Sequence, residues 1–200
     1  MTQRLQRVPL HLDAGETKSL SMVDIRAILR AADGLIGVGG RALLAKILRG
    51  SRSKDVLSRG LEHNPAYGIY QDLPGQEVMG RIDWTILHGY LHIFHDGRLP
   101  LLEYTPAGWK IECETYADEI IEGFDTLLAS AQRPYPVSFL KDMNRELIML
   151  ALEKIQASAD RKYLPLLEDW GRVDHKKVVQ KISAVLRYLE GRTASPAQPS

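Results

Sequence analysis

The residues of this chain best equipped for chemistry are cations set beside a glycine cluster. Gly37, Gly39 and Gly40 run directly into a helical pattern that starts at Arg41. Arg41, Lys46, Arg49, Arg52, Lys54 and Arg59 follow, with Asp55 the only acid between Arg41 and Arg59. Backbone amides at Gly39 and Gly40, exposed at a helix N-terminus, would form an electropositive concavity suited to a phosphate. Arg41 stands at the same end, where its guanidinium would add a bidentate contact. Arg49, Ser51, Arg52, Ser53 and Lys54 supply charge and hydroxyl donors at the other end of that helix. Two phosphate clamps one short helix apart would hold a nucleic-acid backbone in register without reading its sequence. In the plainer alternative, the glycines only make a tight turn and the cations cap a helix C-terminus.

A second set lies on a hairpin. The connection His95-Asp96-Gly97-Arg98-Leu99-Pro100 carries an Asp-Gly turn signal. Phe94, His95 and Arg98 are the candidates for its tip, where an aromatic stacked on an exposed base contributes about 1–3 kcal/mol. Phe94 packed inward on a helical extension is the competing expectation. His88, His92, His95 and Asp96 are close in sequence but form no HExxH or other recognised ligand arrangement, so no metal site is expected. No GxSxG nucleophile motif occurs, and Cys113 sits between acids that disfavour a thiolate. The expectation is a protein with no catalytic residues and no cofactor.

The elements that must position these residues follow from periodicity. Residues 1–20 form an arm with little pattern beyond a short edge strand at 8–12. Ser19 or Ser21 can cap a first helix with Met22, Ile25, Ile28, Leu29 and Ala32 on its apolar face, stopping near Gly34. The second helix spans Arg41 to Leu48, and Ser53 can cap a short helix from Lys54 to Gly60. Val78, Met79, Ile82 and Ile86 make one face of a helix from Gln76 to His88, which leaves Arg81, Trp84, Thr85 and His88 outward or sideways. Tyr90 to Phe94 and Leu101 to Tyr104 read as two strands, and Thr105 to Gly108 closes the domain. Helix, basic loop, helix and hairpin in that order describe a winged helix over 21–109. Helices at about Tyr116 to Ser130, Ser138 to Ser158, Arg161 to Trp170 and Asp174 to Glu190 form an extension over 110–191. The expected fold is mainly α with a small β-hairpin, ending in a low-complexity tail at 192–200.

Composition sets the class. Forty-four per cent hydrophobic and 26% charged residues describe a globular chain without a membrane span or a secretory signal, so a cytoplasmic, nucleoid-associated protein is expected. One cysteine excludes an internal disulfide and a cysteine-based zinc site. The formal charge is only +1, but Arg41 to Arg59 is strongly basic. Glu112, Glu114, Asp118, Glu119, Glu122 and Asp125 crowd the stretch after the hairpin.

The stretches GRALLAKILRGSRSKDVL, AYGIYQDLPGQEVMGRIDWTILHGYL and LLEYTPAG resemble the RQC domain, the winged helix that follows the motor in RecQ-type helicases. The resemblance covers roughly Met22 to Gly108. No GxxxxGK[ST] sequence accompanies it, nor the four-cysteine zinc module of those helicases. The chain is similar to the small bacterial DNA-binding proteins called the minor RQC family, which implies no helicase activity. Its last helix pair resembles one HEAT-type repeat. The resemblance and the basic run together imply a non-enzymatic protein gripping the phosphate backbone of duplex DNA, or of duplex ends and junctions. The alternative is a protein-interaction adaptor in a multi-component bacterial defence or repair system, its extension docking a partner over the acidic patch. A third reading, sequence recognition in a major groove, would use Arg81, Trp84, Thr85 and His88. A helix-hairpin-helix turn at the GVGG cluster fits less well, because no second helical hairpin surrounds it.

Overall fold

Ser21 opens the first helix, α1 (Met22–Ala32), with a capping box: its hydroxyl accepts the Asp24 amide while the Asp24 carboxylate accepts the Ser21 amide. A 3-10 turn, Asp33–Leu35, and the glycine elbow lead to α2 (Arg41–Leu48). Gly50, in the left-handed region, ends α2 and lets the chain turn into the short α3 (Lys54–Leu57). An irregular stretch precedes α4 (Gly75–Leu87), which is followed by β1 (Leu91–Asp96) and β2 (Leu99–Tyr104). The strands pair antiparallel from Leu91↔Tyr104 to Asp96↔Leu99, so the turn between them is Gly97-Arg98 alone. Helices α5 (Pro106–Ser130), α6 (Arg145–Ser158), α7 (Leu164–Trp170) and α8 (Lys176–Gly191) complete the chain.

This computed structural model describes residues 10–130 and 132–191. It divides into two units, Met1–Glu112 and Cys113–Ser200. The first is a winged helix. Ile28, Leu29, Leu44, Leu48, Val78 and Ile82 bury the facing stripes of α1, α2 and α4, and Leu91 and Leu102 close that core from the hairpin. The second is all helical. There Phe124 stacks obliquely on the fully buried Trp170, and Leu152, Leu167, Ile182 and Val185 fill the space between α6, α7 and α8. Each of these helices is too short to persist alone and is held by the stripe it buries.

Several sequence expectations change. Thr105 to Gly108, read as a closing loop, is the start of α5: the Thr105 hydroxyl accepts the Gly108 amide, and Pro106 occupies the first helical position. Gly108 is not a breaker. It is small because the Tyr90 carbonyl lies where a Cβ would be. The expected helix from Ser138 is a 3-10 turn, Ser138–Asp142, followed by a fresh start capped by Asn144. Residues 10–12 are irregular rather than strand; positions 8 and 9 of the expected strand lie outside the described residues, as does the tail at 192–200.

Candidate nucleic-acid interface

Winged helices commonly place a helix in the major groove, so the surroundings of α4 decide how this one could meet DNA. One face of α4 is core. The other carries residues 10–20: the Trp84 indole donates to the Lys18 carbonyl at 3.3 Å, and the Asp13 amide donates to Asp83 at 2.9 Å. Gly80 is small because the Ala14 carbonyl sits 2.8 Å from where its Cβ would be. Three of the four side chains offered for base reading are spent elsewhere. Arg81 bridges Asp24 and Glu77 at 2.9 Å each and lies over the Tyr70 ring. Trp84 is buried, the Thr85 hydroxyl donates to the Arg81 carbonyl, and His88 stacks on Trp84 with ring centroids 3.7 Å apart. Packing thus occupies Arg81, Trp84 and Thr85, while His88 stays exposed at the C-terminal end of α4. Burial works against the Asp24 carboxyl, but hydrogen bonds from Ser21 and Tyr70 and the Arg81 charge hold it below the ordinary carboxylate range.

The glycine elbow also differs from expectation. Gly37 donates to the Leu102 carbonyl and Leu102 donates to the Gly39 carbonyl, both at 2.9 Å, so the elbow is bonded along the outer edge of β2. The Gly39 amide, expected to face a phosphate, donates to Leu35 at 2.8 Å. A Cβ on Gly40 would meet the Pro100 carbonyl at 2.6 Å, so this glycine permits close backbone approach to the wing. Gly40 still serves as N-cap of α2 without a capping side chain. The Leu43 amide donates to the Gly40 carbonyl at 3.0 Å, and no side chain caps the Arg41 and Ala42 amides ahead of it. Arg41 leaves the clamp: its guanidinium is committed to the buried carboxylate of Asp83.

What remains exposed is the stretch beyond α2. Arg49, Arg52, Lys54 and Arg59 are all exposed, and of the other charges in this stretch Lys46 and Asp55 pair at 2.8 Å. Its hydrogen bond to Lys46, reinforced by the charges of Arg59 and Lys54, keeps the Asp55 carboxyl below its ordinary range. Arg59 donates to the Val38 carbonyl at 3.4 Å, which ties the far end of the basic stretch to the elbow. The Ser51 hydroxyl accepts the Ser53 amide. Ser53 begins α3 by its backbone, but its hydroxyl makes no capping bond and has no hydrogen-bond partner although it is buried. Arg49 lies over Gly75 at the start of α4.

On the wing, register decides the tip. Phe94 and His95 are strand residues opposite Leu101 and Pro100, and both are half-buried. Arg98 and Leu99 form the exposed end, with Leu99 62% exposed. Leu99 was missed in the sequence because it reads as the start of a core strand. His92 pairs with Glu103 at 3.0 Å across the hairpin, and no group of three metal-ligating side chains comes together among the described residues.

The acidic stretch is likewise redistributed. Glu112 is buried against Arg30 at 3.3 Å. Glu114 and Asp118 both hold Lys154 of α6 at 2.8 Å, and Asp125 holds Lys162 at 3.0 Å and the Tyr163 hydroxyl at 2.8 Å. These carboxylates are fasteners of the fold more than a docking patch. Among the described residues, no helix is long and apolar enough to cross a membrane.

Comparison with known proteins bears on residues 21–117, which match the family model described as the RQC domain. Neither the curated proteins nor the solved structures gave a match.

Proposed function

Since residues 21–117 are an RQC domain, a winged helix of a DNA-binding type, we propose that this chain is a non-enzymatic protein that grips the phosphate backbone of duplex DNA, including duplex ends and junctions. The observation that carries the reading is the contrast between its two surfaces. The arm lies over the middle of α4 at Gly80, Asp83 and Trp84, whereas Arg49, Arg52, Lys54 and Arg59 project from α2 onward with one acid among them. Long cations on a loop and uncapped helix amides suit phosphate oxygens, whose spacing does not depend on base sequence. Arg98 and Leu99 at the wing tip extend the same contact toward a terminal base pair.

Fluorescence anisotropy on blunt duplex, forked duplex and single strand, across a salt series, tests the reading. Backbone binding lowers log affinity linearly with log salt, by about 0.9 for each phosphate neutralised on duplex. The variant Arg52→Gln/Lys54→Gln/Arg59→Gln removes three cations and is expected to flatten that slope by roughly 2–3. A parental slope in this variant would refute the assigned face.

An adaptor role is the second reading, and one feature favours it. In the second unit an open apolar groove of about 510 Å³ is lined by Ile120, Phe124, Leu127, Pro136, Phe139 and Met143. Phe139 is 53% exposed there. A groove of this kind fits the apolar face of a partner helix. Retention of full DNA affinity by Phe139→Ser, with loss of a co-purifying protein, would assign the groove to that role.

A further inference from the structure

The second unit spends five of its described cations on carboxylates of its own. Arg133 binds Asp169 and Glu168, Lys154 binds Glu114 and Asp118, Lys162 binds Asp125, Arg172 binds Asp169, and Lys181 reaches Glu153. Six are left without such a partner among the described residues. Lys141, Arg145 and Arg161 are scattered over three elements. Lys176, Lys177 and Arg187 all stand on α8, and all three are exposed.

Helix α8 buries Val178, Ile182, Val185 and Leu189. At 3.6 residues per turn the direction opposite that stripe is occupied by Lys176, Gln180 and Arg187, with Ser183 and Ala184 on either side and Lys177 at the margin. From Lys176 to Leu189 the sequence contains no Asp or Glu. This face is therefore cationic at both ends and neutral between them, with the exposed Glu190 of the last turn at the margin opposite Lys177. Lys176 and Lys177 also occupy the first turn, which contains no acidic residue, and a helix macrodipole disfavours cations at that end. Asp174, the acid just outside the helix, is engaged by the Trp170 indole and the His175 amide, both at 2.6 Å. Those cations stabilise neither the helix nor the fold. A bound anion would relieve both.

We infer that the exposed face of α8 is a second contact for the phosphate backbone of duplex DNA, separate from the winged helix. From Lys176 to Arg187 the helix rises about 16 Å, which corresponds to roughly five base-pair steps along one strand. The small side chains of Ser183 and Ala184 let the helix lie flat against a backbone. Charge directed at phosphate oxygens carries no base information, so the contact is indifferent to sequence.

The test uses the whole chain and a blunt duplex of about 20 base pairs. In Lys176→Gln/Lys177→Gln/Arg187→Gln the log affinity against log salt should flatten by roughly 2–3, with affinity at low salt falling about tenfold or more. The melting temperature should stay at the parental value, since all three side chains are exposed. Acetylation of Lys176 and Lys177, read by mass spectrometry, should slow several-fold when duplex is present. An unchanged slope together with unchanged labelling would overturn the inference. Failure of the α8 variant leaves the winged-helix reading standing, because that reading is judged on Arg52, Lys54 and Arg59 alone. Loss confined to the α8 variant would instead place DNA on the second unit and not on the first.

Discussion

Arg41, at the first position of α2, lays its guanidinium on Asp83 of α4, and the second oxygen of that carboxylate accepts the Asp13 amide. One buried carboxylate thus fastens a helix and the arm to α4 together. Asp83 is only 2% exposed, so neither partner can be removed without stranding the other charge away from water.

Arg41 is accordingly a structural residue. Arg41→Gln and Asp83→Asn should each cost about 3–5 kcal/mol, the usual penalty for breaking a buried pair. Calorimetric melting would show it. DNA affinity measured well below the melting temperature should keep the parental salt slope in Arg41→Gln. A slope reduced by about one would return Arg41 to the phosphate contact.

Gly40 should tolerate no side chain. Alanine there would place a methyl group 2.6 Å from the Pro100 carbonyl, and both atoms belong to backbone that cannot swing aside. Gly40→Ala should destabilise by about 1–3 kcal/mol through forced separation of α2 from the wing. Amide exchange at Leu102 should quicken, because the bond it makes to Gly39 depends on the same approach. An unaltered exchange rate would argue against it.

The wing separates stability from binding. Phe94 is half-buried opposite Leu101, whereas Leu99 is open to solvent. Phe94→Ala should lower stability by about 1–2 kcal/mol for the apolar area lost and change DNA affinity little. Leu99→Ser should leave stability unchanged and weaken binding to forked or blunt ends more than to long internal duplex. Equal loss on every substrate would remove Leu99 from the contact.

Acid stability of the second unit should depend on Asp169. Hydrogen bonds from Arg133, opposed by burial and aided by the Tyr135 amide and the Arg172 charge, hold its carboxyl below the ordinary carboxylate range. A depressed folded-state value means this contribution is complete above the unfolded value of about 4 and is lost as pH falls through the lower, folded one. Urea midpoints for the parent should therefore decline below about pH 4. Asp169→Asn should be less stable at neutral pH, by on the order of 2 kcal/mol, with a shallower acid decline. Parallel declines in both proteins would assign the acid sensitivity elsewhere.

Much of the architecture was legible without coordinates. A serine cap at Ser19 or Ser21, the stripes of α1, α2 and α4, and the Asp-Gly turn are local signals, since helix periodicity, capping and positive-φ turns are properties of a few consecutive residues. The same holds for the exposed cations Arg52, Lys54 and Arg59, because a charge run interrupted once by Asp55 has too few acids nearby to be neutralised locally. The start of α5 was missed because Pro106 and Gly108 carry the local signature of a loop.

Which charges are free was decided only in three dimensions. Arg41 and Arg52 are both cations in one basic run, yet Arg41 meets an acid 42 positions later in the chain and Arg52 meets none among the described residues. Gly39 and Gly40 read as a phosphate cradle until β2 is brought alongside, and α4 reads as a reading helix until the arm is laid across it. Pairing of ions and covering of faces depend on which distant segments become neighbours, and that follows from burying every apolar stripe at once. Residue types and spacing determined that this chain would fold as a winged helix with a basic flank; long-range packing selected which of those groups still look outward.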